Sequence, residues 1–79
     1  MNKEQILARI NELEQEATSI RAEQEAIEQI YSYVLSQDSS RCDEIYHQLK
    51  RRADQLSIRI AKWNHEMDII SAEADKLAA

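Results

Sequence analysis

Ser36-Gln37-Asp38-Ser39-Ser40-Arg41 is the only run of turn-forming residues in the chain, and the pattern on either side of it settles the fold. Short polar side chains such as Ser and Asp hydrogen-bond to nearby backbone and so compete with a helix. Ser40 followed by Asp43 resembles a capping box: the hydroxyl accepts from an early backbone N–H, and the acid answers the N–H of the cap itself. Asp43 and Glu44 also suit the positive end of a helix dipole. One helix is therefore expected over about Lys3 to Ser36, a turn over about 37–40, and a second helix over about Arg41 to Lys76.

Upstream of the turn, apolar residues recur in steps of four and three. Ile6, Leu13, Ile20, Ile27 and Val34 take the d positions of a heptad, and Ile10, Ala17, Gln24 and Tyr31 take a. Downstream, Cys42, Leu49, Leu56, Trp63, Ile70 and Leu77 sit at d, with Tyr46, Ala53, Ile60, Met67 and Ala74 at a. Repeats of this length specify coiled-coil packing. Gln24 is the one polar residue in either series, and polar a residues tend to fix register or oligomeric state rather than add stability.

One uninterrupted helix competes with a hairpin, because neither Gly nor Pro stands in the turn. The charges decide. Folding back between Asp38 and Ser39 sets Glu23 against Arg52, Glu16 against Arg59, Arg9 against Glu66 and, on the other flank, Glu28 against Lys50. Ile30 then meets Ile45, and Ala17 makes room for Ile60 and Trp63. Each exposed ion pair stabilises by only ~0.2–1 kcal/mol, but all carry the right sign in one register. The expected fold is all-α: an antiparallel two-helix hairpin, a coiled coil forming a single domain over residues 1–79.

Composition agrees. Among 79 residues there is no Gly, no Pro and no Phe, which disfavours tight turns, bulged strands and Gly-rich phosphate loops. Charged residues make up 32% and the net charge is -5. That balance argues against a general nucleic-acid or anionic-membrane binder. The single cysteine cannot close an internal disulfide, and no apolar run exceeds three residues. No membrane segment is expected, and the cytoplasm is the default location.

Chemistry-bearing patterns are weak. Cys42 lies on the seam, where a small buried hydrophobe is its simpler role, and His47 falls on another face. Asp43 and His47 are spaced to share an ion, but the helix offers no third ligand. Glu12, Glu14 and Glu16 point in different directions. Trp63 and Met67 are explained by packing, although a buried Trp63 needs an acceptor for its ring N–H. No catalytic residue, cofactor or metal site is assigned, and the chain is read as not an enzyme.

The outer faces are more informative. Opposite the seam, the first helix carries Gln5, Ala8, Glu12, Gln15, Ser19, Ala22, Ala26, Gln29 and Tyr33, with one charge among them, which is less than a solvated face usually holds. The second carries Ile58, Ala61, His65, Ile69 and Ala72. These stripes are expected to meet another protein or a second copy, with a homodimeric four-helix bundle as the simplest closed form. Ala8, Ala22, Ala26, Tyr33, Ile58, His65 and Ile69 are the candidate interface residues, and Ile30, Tyr33, Leu35 and Ile45 form a second candidate surface near the turn. The expected function is a protein-interaction module: a small adaptor, assembly factor or inhibitor. The alternative is a small dimeric nucleic-acid-binding regulator using the basic face of the second helix, where Arg51 and Lys62 point away from the seam. The net charge counts against it.

Overall fold

The structure is a computed structural model that describes residues 1–36 and 42–78. It contains two α-helices, α1 (Lys3–Ser36) and α2 (Cys42–Ala78), packed antiparallel as a hairpin. The bounds of α1 are those expected, and α2 continues two residues beyond 76. The expected turn and Ser40, the cap of the expected Ser40–Asp43 box, lie outside the described residues. The hairpin is a rod of 59 × 15 × 14 Å with a radius of gyration of 17.8 Å, against roughly 12 Å for a globular domain of this length.

A reciprocal capping box starts α1. The backbone N–H of Gln5 donates to Asn2 Oδ1 at 2.8 Å, and that of Asn2 donates to Gln5 Oε1 at 3.0 Å. Two N–H groups that the helix itself cannot satisfy are thereby occupied. The first intrahelical bond follows, from the Ile6 N–H to the Asn2 carbonyl.

The seam is centred on the d positions. Ile6, Leu13, Ile20, Val34, Leu49, Leu56 and Ile70 are the buried core, with Leu13 only 1% exposed. Full burial of such a side chain stabilises by about 1.5–3 kcal/mol. Ile27 and Trp63, also at d, are only half-buried, and Leu77 at the end of the row is exposed, but no described a residue is buried. Ile10, Ala17, Ala53, Ile60, Met67 and Ala74 are half-buried, and Gln24, Tyr31 and Tyr46 are exposed. Across d from the a row, the g residues Arg9, Glu16, Glu23, Ile30, Ile45, Arg52, Arg59, Glu66 and Glu73 are all half-buried. An a/d seam buried evenly on both rows is therefore corrected to a d row flanked by a on one side and g on the other. The physical cause is side-chain size and charge. The large aliphatics sit at d, alanines weaken a, and g carries opposite charges that draw the helices together.

Candidate protein-interaction surfaces

The g flank is closed by a ladder of ion pairs repeating every seven residues. Arg52 Nε donates to Glu23 Oε1 at 2.9 Å. Arg59 Nε donates to Glu16 Oε1 at 2.6 Å, and its terminal nitrogen reaches Ser19 Oγ at 2.9 Å. Arg9 bridges Glu66 of α2 and Glu12 of its own helix, the latter at 2.6 Å. The amine of Met1 lies 3.5 Å from Glu73. The half-buried Ile30 and Ile45 occupy the next rung toward the turn. The Arg59 hydrogen bond holds the Glu16 carboxyl below its ordinary range, and Glu16 in return raises Arg59; Glu12, then Glu66, raises Arg9. Three of the four expected cross-helix pairs are thus present.

The fourth is absent. Glu28 and Lys50 are both exposed and form no ion pair among the described residues. They belong to the e row, which lies beyond a and farther from the seam than g, so their heads stay apart. The whole e row behaves alike. Leu7, Glu14, Arg21, Glu28, Leu35, Asp43, Lys50, Ser57, Asn64 and Ser71 are all exposed. The two flanks of the hairpin therefore differ: one is laced by charges, and the other is an open row of half-buried or exposed a residues, apolar except for Gln24.

One polar contact among the described residues crosses between the d rows. Trp63 Nε1 donates to the Leu13 carbonyl oxygen at 2.8 Å, which supplies the acceptor its ring requires. Trp63, Ile10, Met67 and Ala74 pack against the Ile6–Leu13–Ile70 cluster. Near the turn, the Tyr31 and Tyr46 rings face each other across the a row at 6.5 Å, tilted by 44°.

The expected interface residues divide between two edges of the rod. Ala8, Ala22 and Tyr33 are exposed on α1, and Ile58, His65 and Ile69 are exposed on α2. Ala8, Ala22, Ile58 and His65 take the f row on the far side of each helix, whereas Tyr33 and Ile69 take the c row that borders the g flank, toward opposite ends of the rod. Ala26 is a correction: it is half-buried rather than open. It sits one helical turn from Glu23, on the flank where Arg52 crosses. Of the large apolar side chains, Ile58 is 71% exposed and Ile69 48%. They lie eleven residues, three helical turns, apart on one stripe, with Lys62 and His65 between them.

Arg51 and Lys62 are exposed, but the basic residues beside them, Arg52 and Arg59, are engaged by Glu23 and Glu16. Asp43 and His47 are exposed, and His47 stands beside the Tyr46 ring at 6.2 Å. Among the described residues, no three His, Cys, Asp or Glu side chains converge on a metal-sized site. No helix among them is long and apolar enough to cross a membrane. No family model, curated protein or solved structure is significantly similar to this chain.

Two features escaped the sequence reading. Asn2-x-x-Gln5 is a legible capping signature that the Ser40 region overshadowed. Leu7, 51% exposed at the end of the e row, falls off the a/d series and carries meaning only once the open a row is seen beside it.

Proposed function

We propose that this hairpin is a non-enzymatic protein-interaction module, a small cytoplasmic adaptor, assembly factor or inhibitor, that presents the outer stripe of α2 to a partner protein. The observation that carries this reading is the exposure of Ile58 and Ile69 on one face of a helix whose opposite face is already packed. Isolated exposed apolar residues are common on proteins. Two large β-branched side chains aligned over three turns, with His65 and Ala72 on the same stripe, match the spacing by which a helix lies in an apolar groove. Nucleic acid is the less favoured partner, because the α2 arginines nearest the seam are neutralised within the hairpin.

The test is capture of partners with the tagged hairpin, followed by calorimetric titration of each purified candidate. Ile58→Glu combined with Ile69→Glu should weaken binding at least about a hundredfold, as loss of two anchoring side chains does. Helicity by circular dichroism should stay unchanged, since neither residue touches the seam. Unaltered affinity would remove this stripe as the binding face.

A further inference from the structure

We infer that the open flank of the hairpin, formed by its a and e rows, is the contact surface for a second copy of this chain, which docks with the turn ends together to complete a four-helix bundle. This does not rest on the partner-binding reading: it uses a different face and leaves the Ile58–Ile69 stripe free.

The first argument is area. The chain exposes 6331 Å², whereas a compact monomer of 9.2 kDa exposes roughly 4,900 Å². One broad face of the 59 × 15 Å rod offers roughly 900 Å², close to the ~800 Å² per partner of a standard stable interface. Covering one face therefore removes most of the excess.

The second argument is which face is prepared. The g flank is closed by the Arg9, Arg52 and Arg59 ion pairs. The opposite flank presents Ile10, Met67, Ala17, Ile60, Ala53, Tyr31 and Tyr46, each of them half-buried or exposed, although heptad position marks all of them for a core. In a four-helix bundle each helix packs against two neighbours. Here the d and g rows serve the neighbour within the hairpin, and a and e are left for the neighbour outside it.

The third argument is charge, and it fixes both occupant and orientation. Every charged g residue is ion-paired within the hairpin, and no charged e residue is, among the described residues. A two-fold axis along the rod lays α1 of the copy over α2. Glu28 of the copy then meets Lys50, while Glu14 meets Asn64, Arg21 meets Ser57 and Leu7 meets Ser71. The only charge-to-charge rung has opposite signs. Turned end for end at full overlap, the same faces set Arg21 beside its own copy and Glu14 beside the copy's Glu28. Like charges in register are destabilising. The same-end arrangement also places Ala17 of the copy over Ile60 and Gln24 of the copy over Ala53, so small residues lie against large ones in both layers.

Sedimentation equilibrium over a wide concentration range, with helicity checked by circular dichroism, tests this. The expected result is a dimer. Glu28→Lys alone, and Lys50→Glu alone, should each weaken dimerisation about tenfold, because the two-fold doubles every change at that rung. The two substitutions combined should restore it. Both residues are exposed and neither is ion-paired among the described residues, so folding is not at stake. A monomer throughout overturns the inference. So does a dimer that ignores all three charge variants, or one lost instead with Ile58→Glu and Ile69→Glu, which would move the contact to the outer stripe.

Discussion

At the scale of single residues, Trp63 shows how the seam fits one large side chain. It stands at d across from Leu13, and Ala17 on the neighbouring a row leaves room for its ring. Its N–H reaches the Leu13 carbonyl at 2.8 Å, an oxygen with a second lone pair available to the α1 backbone ladder. Removing the donor therefore strands no buried acceptor. Trp63→Phe should cost about 1–2 kcal/mol, combining one hydrogen bond with a modest loss of packed volume. Urea unfolding followed by circular dichroism checks this: the midpoint should fall while the slope stays unchanged. A loss well above that range would mean that the ring itself, rather than its N–H, positions the helices. The need for an acceptor was legible from the residue type; its identity was not, because a backbone oxygen carries no sequence signature.

At the scale of the helix, the caps and the rotation of each helix about its own axis matter most. The Asn2–Gln5 box fixes the first turn of α1, and its loss is local because helix ends fray independently of the core. Asn2→Ala should weaken the cap by about 1 kcal/mol, read as an approximately fivefold faster amide exchange at Gln5, with exchange at Leu13 unchanged. Equal acceleration at both sites, or no change at either, would show that the box does not act locally on this end. Rotation is where sequence reasoning stopped short. Heptad spacing located the rows, and Glu16–Arg59, Glu23–Arg52 and Arg9–Glu66 located the register. It did not reveal that d would be central and a half-open. That outcome follows from a comparison across rows rather than along them: Leu13, Ile20, Leu49 and Leu56 at d outweigh Ala17, Ala53 and Ala74 at a, while g supplies attraction. The pairing of Glu28 with Lys50 failed for the same reason, since rotation toward g draws the e rows apart. Ala26 was misplaced likewise, by assuming an outer stripe symmetric about the seam.

At the scale of the whole molecule, the g ladder keeps the two helices in a single alignment. A slip by one heptad in one direction sets Glu16 against Glu66, and in the other sets Arg9 against Arg59; either slip also separates Ile30 from Ile45. The apolar d row alone tolerates such slips, because its residues are similar in size. Register selection should therefore weaken when the ladder's carboxylates are protonated. The Arg59 hydrogen bond lowers the Glu16 pKa from its ordinary 4.5. A depressed folded-state value means that the unfolded chain takes up the proton first on acidification. The stability Glu16 contributes is fully present above 4.5 and is lost as the pH falls through the depressed native value. Thermal melts followed by circular dichroism should accordingly show a melting temperature that declines below pH 4.5. Glu16→Gln should lower it at neutral pH and flatten that decline, since the amide keeps a hydrogen-bond acceptor but has no proton to gain. An equally steep acid decline in Glu16→Gln would assign the pH dependence to other carboxylates and reduce the Glu16–Arg59 rung to a contact without energetic weight.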